Sequence, residues 1–112
     1  MQLHQEQSED AVILRPQGEV DLASSPALRI ALQELLQARC PLLLLDMSGV
    51  AYIDSSGLAA LIEYGRDSSA QGGKMALFGL TPRVKTVFEL VRLNELFPIA
   101  STMEEARNLV AA

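Results

Sequence analysis

The feature that most constrains the fold of this chain is the apolar run "LLLLDM" at positions 42–47. Four consecutive leucines leave no polar face, so a strand formed by this segment must be covered on both sides. The run is also far too short to cross a membrane. The sequence therefore predicts a strand at the centre of a sheet, with other elements packed above and below it.

Segments with strand character alternate with segments of helical periodicity along the rest of the chain. The predicted strands are 2–7, 10–17, 42–47, 74–80 and 96–100, and the predicted helices begin near residues 25, 56, 82 and 102. Pro16 cannot donate a ladder hydrogen bond, so it predicts an edge position or a bulge. The alternation predicts one α/β domain over residues 1–112, with a small mixed sheet of four to five strands flanked by about four helices.

Three of the helices carry recognisable start signals. Ser25 is predicted as an N-cap with Pro26 at the first helical position, and Thr81-Pro82 repeats this arrangement. Thr102 has capping-box spacing to Glu105. The positions predicted to face the core are Leu28, Leu32, Leu35 and Leu36 in the first helix and Val84, Val87, Phe88 and Val91 in the third.

The composition excludes several classes of function. A net charge of −5 argues against binding to a phosphate backbone, so no nucleic-acid partner is expected. The chain has one cysteine, Cys40, and one histidine, His4, which cannot build a zinc site or an internal disulfide. We expect no metal and no cofactor. With neither a signal peptide nor a membrane span apparent, the sequence predicts a cytoplasmic protein that does not insert into membranes.

The stretch "YIDSSGLAAL" at 52–61 places Asp54, Ser55 and Ser56 where a helix begins. Serine and aspartate are common caps because their oxygens accept hydrogen bonds from the free amides of the first turn. The same helix end could also hold a phosphate on one of the serines. A catalytic serine would need a positioned base, and the chain offers only His4, so an enzyme is not expected. The triplet recurs at 67–69, near a helix end, and is therefore weak evidence alone.

The wider pattern resembles a STAS domain of the anti-sigma factor antagonist branch, a group of bacterial regulators. The matching segments are Gly18-Glu19-Val20-Asp21, "LLLLDMSGVAYIDSSGLAAL" (42–61), "GGKMALFGLTPRVKTVFELVRL" (72–93) and "LFPIA" (96–100). The resemblance covers nearly the whole chain in order. It implies a small mixed sheet flanked by helices, in agreement with the alternation of elements.

The resemblance also implies a switch at Ser55, the first serine of the D-S-[ST]-G element. In antagonists of this type that serine is phosphorylated by the anti-sigma factor, which is itself a serine kinase. The unmodified antagonist binds the kinase and frees the sigma factor, and a PP2C-type phosphatase restores it after phosphorylation. By resemblance, Asp21 and Asp54 lie near the kinase-docking surface, with Ser56 as the helix cap and Gly57 allowing close backbone approach.

One alternative stays open within the same family. STAS domains also serve as accessory subunits of lipid-transporting ABC permeases of the MlaB type, and such subunits have a similar size. They often replace the phosphorylatable serine, so Ser55 favours the antagonist without deciding the question. If the antagonist interpretation holds, Glu19 and Glu63 could add to the repulsion of a partner, although solvated surface charge is their simpler role.

Overall fold

The computed structural model describes residues 1–111. Its strands are β1 (Gln2–Gln7), β2 (Val12–Val20), β3 (Leu42–Asp46), β4 (Val50–Ile53), β5 (Lys74–Phe78) and β6 (Ile99–Ala100). Its helices are α1 (Ser25–Gln37), α2 (Ser55–Ala70), α3 (Pro82–Leu90) and α4 (Met103–Val110), and a short 3₁₀ turn covers Leu93–Glu95. The predicted mixed α/β class and the four helices are confirmed.

The four leucines form the centre of the sheet, as their sequence predicts. The strand order is β1-β2-β3-β5-β6, in which β1 is antiparallel to β2 and the remaining neighbours are parallel. Leu43, Leu44 and Leu45 are completely buried because helices cover the two faces of β3. Leu43 and Leu45 face the larger core, and Leu44 faces the smaller one.

The sheet has six strands rather than the four to five predicted, because the strand β4, with four residues, is too short to show a clear pattern in the sequence. It pairs in parallel with the second half of β2, whereas β3 pairs with the first half. β2 accordingly continues to Val20, beyond the predicted end at residue 17. Pro16 is buried inside β2 and does not lie on an edge strand. It falls in the gap between the two parallel pairings, just before the register irregularity at Gly18 and Glu19.

The helices divide unequally between the two faces. Helices α1, α2 and α3 bury their apolar sides in the larger core. The other face is covered by α4, whose Ala106 is fully buried against Ile13, Leu44 and Ala76. Among residues 1–111, no helix combines the length and the apolar character that crossing a membrane requires.

Several predicted details are corrected by the structure. Ser24 is the N-cap of α1, and Ser25 is a buried first-turn residue. Val91 follows the end of α3 and is 52% exposed, because the chain turns there into the left-handed conformation of Arg92. The predicted strand 96–100 is reduced to two residues, since the chain before it leaves a 3₁₀ turn. Thr81 and Thr102 cap their helices as predicted.

Candidate functional site

The candidate site lies where two parallel strands end side by side. Val20 of β2 pairs with Ile53 of β4, and the backbone N–H of Asp54 donates to the carbonyl oxygen of Val20 at 3.0 Å. The loop 21–24 leaves β2 toward α1 at this edge, and Asp54 leads from β4 directly into α2. The parallel pairing therefore brings together the two segments that the sequence singled out, although 32 residues separate them.

Asp54 is the N-cap of α2, a role that the sequence interpretation gave to Ser56. Its Oδ1 accepts hydrogen bonds from the backbone N–H groups of Ser56 at 2.9 Å and Gly57 at 3.4 Å. The Ser56 hydroxyl donates to the same oxygen at 2.6 Å. Asp54 takes the cap because its extended backbone places the carboxylate over the first turn. Two of the amides expected to hold a phosphate are thus already occupied.

The hydrogen bonds to Asp54 stabilise its charged form. The pKa of its carboxyl is lowered from 3.8, chiefly by the Ser56 hydroxyl and further by the backbone N–H groups of Gly57, Ser56 and Leu22. A carboxylate that accepts several hydrogen bonds holds its proton less tightly. Asp54 is therefore a fixed negative charge at the start of α2.

The loop that contains Asp21 is held by its own hydrogen bonds. Oδ1 of Asp21 accepts from the backbone N–H groups of Ala23 at 3.1 Å and Ser24 at 3.0 Å. The Ser24 hydroxyl donates to the carbonyl oxygen of Glu19 at 2.8 Å and accepts from the N–H of Asp21 at 2.9 Å. These contacts fix Asp21 and Glu19 beside the start of α2.

Ser55 is the first residue of α2 and is exposed to solvent. Ser56 is half-buried and its hydroxyl is engaged by Asp54, whereas the Ser55 hydroxyl makes no hydrogen bond within residues 1–111. The two serines therefore differ in what a modifying enzyme could reach, and Ser55 presents the accessible oxygen.

A profile of the STAS domain matches residues 2–106 of the chain. The chain belongs to the STAS domain family. It is 28% identical over 100 residues to the anti-sigma F factor antagonist of Paenibacillus polymyxa, with 88% of this chain and 86% of that protein covered. The resemblance seen in the sequence is thereby confirmed.

Solved structures agree on the fold. An anti-sigma factor antagonist from Mycobacterium paratuberculosis superposes on this STAS domain with a TM-score of 0.90 at 23% identity, covering 99% of this chain and 94% of that chain. The antagonist SpoIIAA of Bacillus in its unphosphorylated form gives 0.83 at 22% identity, covering 98% and 96%. SpoIIAA has also been solved in a phosphorylated form, with a TM-score of 0.75, 22% identity and coverage of 97% and 99%.

Gly57 lies beneath the surface of the STAS domain. It is buried, and a Cβ atom added to it would lie 2.6 Å from Cγ1 of Val20 and 2.8 Å from Cγ1 of Ile53. Only a glycine lets the first turn of α2 approach the ends of β2 and β4 so closely. Gly57 therefore determines how close the first turn of α2, and with it Ser55, lies to the sheet.

Three residues at this edge escaped the sequence interpretation. Leu22 donates its backbone N–H to Oδ2 of Asp54 at 3.1 Å, while its side chain is 78% exposed. The guanidinium carbon of Arg83 lies 5.0 Å from the ring centroid of Tyr52 on β4. The one sequence signal that could have indicated a role for Leu22 is that it is an apolar residue inside a polar loop. Tyr52 and Arg83 meet only through the packing of α3 against β4.

The structure gives the two remaining acidic candidates different surroundings. Glu63 pairs with Arg29, which joins α2 to α1 and offsets its charge. Glu19 is exposed and has no ion pair among residues 1–111. Of these two carboxylates, Glu19 contributes to the acidic character of the site. The part of the chain that the structure describes holds no cluster of acidic, histidine or cysteine side chains suited to a metal ion.

Proposed function

We propose that this STAS domain is an anti-sigma factor antagonist regulated at Ser55. In its unmodified form it binds an anti-sigma factor that is a serine kinase, and this binding releases the sigma factor. Phosphorylation at Ser55 blocks the complex, and a PP2C-type phosphatase reverses the block. The observation that carries the proposal is the exposed, unengaged hydroxyl of Ser55 at a surface built by two strand ends.

The names of the relatives support this function. The Paenibacillus polymyxa relative is named an anti-sigma F factor antagonist, and a Bacillus subtilis relative is named an anti-sigma-B factor antagonist. The SpoIIAA structures record one fold in unphosphorylated and phosphorylated forms. A switch that leaves the fold in place suits a site whose backbone is already tied by hydrogen bonds.

The electrostatics of the site favour exclusion of a partner after phosphorylation. A phosphoserine carries about −1.5 to −2 charges at neutral pH. At Ser55 it would stand beside Asp54, Asp21 and Glu19. Because Asp54 occupies the amides of Ser56 and Gly57, the phosphate would remain on the surface, where a docking protein meets it. Like charges forced together across an interface cost several kcal/mol, and about 1.4 kcal/mol already weakens binding tenfold.

A binding role also suits what surrounds Ser55. The single histidine, His4, lies on β1 opposite Arg15 and away from the carboxyl ends of β2 and β4. Asp54 is the nearest carboxylate in the chain, and its lowered pKa makes it a poor general base. Ser55 is therefore proposed as a substrate of a kinase rather than as a nucleophile.

Phosphorylation by a cognate anti-sigma kinase tests the proposal. Purified protein, kinase and ATP should give one phosphate at Ser55, and Ser55→Ala should abolish labelling. Ser69→Ala is the matched control, since Ser69 is an exposed serine at the far end of the same helix and belongs to the second D-S-S triplet, Asp67-Ser68-Ser69. Labelling of Ser55→Ala at the wild-type level would refute the proposal.

The effect of the phosphate on binding is a separate measurement. Phosphoserine placed at position 55 should abolish a complex that the unmodified protein forms with the kinase, whereas phosphoserine at position 69 should leave it intact. The alternative, an accessory subunit of an ABC permease, predicts association with a permease and its ATPase that does not depend on the state of Ser55. Such association would refute the antagonist function and support the accessory role.

A further inference from the structure

We infer that Arg83 is the counter-ion of the phosphate on Ser55, so that α3 takes part in the phosphorylated state. In the unmodified protein Arg83 rests on the ring of Tyr52, and after phosphorylation its guanidinium binds the phosphate oxygens. The inference rests on the proposed function, because it concerns the same serine.

Arg83 is held near the site by the start of α3. The Thr81 hydroxyl caps α3 and donates to the carbonyl oxygen of Val50 at 3.2 Å, which fixes the first turn of the helix to β4. The guanidinium carbon of Arg83 then lies 5.0 Å from the centroid of the Tyr52 ring. Arg83 is exposed and has no carboxylate partner among residues 1–111. Its charge is therefore available to a new anion.

The separation from Ser55 suits a change of side-chain conformation. Ser55 follows Tyr52 by three residues, and the backbone between them is extended through Asp54, so their Cα atoms are separated by at most about 10 Å. A long arginine side chain that reaches from α3 toward a phosphoserine side chain can close much of that gap. The backbone of α3 need not move, because only the side chain of Arg83 leaves the tyrosine ring.

A phosphate on Ser55 lacks the stabilisation that a helix start normally offers. Oδ1 of Asp54 already accepts from the amides of Ser56 and Gly57, and its charge opposes that of the phosphate. Glu19 and Asp21 add negative charge from the end of β2, where Met1 lines the same groove. In these surroundings a cation from another element would stabilise the dianion, and arginine offers paired donors that match phosphate oxygens.

Five of the other eight lysine and arginine side chains are engaged elsewhere in the described chain. The ion pairs are Arg15 with Glu6 and Asp46, Arg29 with Glu63, Arg66 with Asp67, and Arg107 with Asp10, while Lys74 donates to the carbonyl oxygen of Val110. Of the rest, Arg39 follows the end of α1 and Arg92 follows the end of α3. Lys85 belongs to α3 but lines a different groove, together with Glu89 and Glu105. Arg83 is the basic residue that packs on the strand leading into Ser55.

The test follows the titration of the phosphate itself. Protein with phosphoserine installed at position 55 during synthesis is titrated by ³¹P NMR around pH 6, near the second pKa of phosphoserine. A nearby cation favours the dianion and lowers that pKa. Arg83→Gln should therefore raise the phosphoserine pKa by about half a unit. Lys85→Gln, an equal loss of charge two positions along α3, is the matched control and should change it far less.

A second readout follows the tyrosine ring. In the wild type, phosphoserine at position 55 should shift the ring resonances of Tyr52, because Arg83 leaves the ring. In Arg83→Gln the same modification should leave them nearly unchanged. Equal phosphoserine pKa values in Arg83→Gln, Lys85→Gln and the wild type would overturn the inference.

A failure of the proposed function can be told apart from a failure of the role of Arg83, because the phosphoserine is installed without a kinase. A kinase that ignores Ser55, or a complex that tolerates the phosphate, overturns the proposed function. An unchanged ³¹P titration in Arg83→Gln overturns the role of Arg83 alone.

Discussion

The backbone N–H of Leu22 donates to Oδ2 of Asp54 at 3.1 Å, which ties the loop after β2 to the cap of α2. The other oxygen of the same carboxylate holds the first turn of that helix. One side chain therefore fixes both halves of the proposed docking surface. A partner that binds as proposed would meet the Leu22 side chain, Asp21 and Ser55 in a preset arrangement, which would reduce the entropy lost on binding.

Asp54 should make the stability of the protein depend on acidity. Its pKa is lowered from 3.8 in the folded state, so its contribution to stability is present above that value and is lost as pH falls through the lowered folded pKa. Asp54→Asn should be less stable than the wild type at neutral pH, and the difference should shrink in strong acid. Urea unfolding at a series of pH values measures this.

The control for Asp54 is a substitution at Ser69, at the other end of α2. Ser69→Ala should retain the acid dependence of the wild type. The difference in unfolding free energy between Asp54→Asn and the wild type should fall as the Asp54 carboxylate of the wild type is protonated. A difference that stays constant from neutral pH to strong acid would contradict the prediction.

Gly57 should tolerate no side chain without a loss of stability. The Cβ of Gly57→Ala would lie 2.6 Å from Cγ1 of Val20 and 2.8 Å from Cγ1 of Ile53, well inside van der Waals contact. Extra atoms in a packed site typically cost about 1–3 kcal/mol of unfolding free energy. Ser55→Ala, two positions earlier and exposed, should change it by less than about 0.5 kcal/mol. Chemical denaturation of both variants measures this difference. Similar unfolding midpoints for Gly57→Ala and Ser55→Ala would contradict the prediction.

Leu22 should contribute to partner binding and little to folding. Its side chain is 78% exposed, while the contact to Asp54 uses the backbone. Leu22→Ala should keep the unfolding midpoint and weaken the complex with the anti-sigma kinase about tenfold, the effect of losing somewhat over 1 kcal/mol of interface contact. Leu90→Ala removes an equally exposed leucine at the end of α3 and serves as the control in calorimetric titration.

Tyr64 should resist ionisation until strongly alkaline pH. Burial between the helices and the sheet raises the pKa of its hydroxyl to about 12 from the usual 10.0. The folded state then keeps a proton that the unfolded state releases, so stability should fall as pH rises from about 10 to about 12. Absorbance titration of the Tyr52→Phe variant at 295 nm isolates Tyr64, and a midpoint near 10 in the folded protein would contradict the prediction.

Patterns confined to one element could be predicted from the sequence. The leucines of β3 show no polar face, so their position at the centre of the sheet could be predicted from the cost of exposing apolar side chains to water. Thr81 could be predicted as a cap because no rival cap stands beside it, and Thr102, which follows Ser101, because it has capping-box spacing to Glu105. At α2, by contrast, Asp54, Ser55 and Ser56 are consecutive and similar in cap preference. Only the extended backbone at Asp54 decides among them.

Features created by pairing between elements could not be predicted in this way. β4 has four residues, and its partner is the half of β2 that β3 leaves free. Pro16 lies in the gap between the two pairings, but no local pattern indicates which segment pairs with the half of β2 beyond it. The contact between Arg83 and Tyr52 likewise arises from the packing of α3 against β4. The site was therefore visible in the sequence as one serine motif, while its neighbours required the fold.

The unequal cover of the sheet has a consequence for synthesis of the chain. The face that carries Ile13, Leu44 and Phe78 is closed by α4, the last helix in the described chain. Until residues 103–110 have been translated and have folded, that face of the sheet has no helix to cover it. Premature termination before α4 should thus leave a half-covered sheet prone to self-association, even though every residue of the proposed switch has already been made.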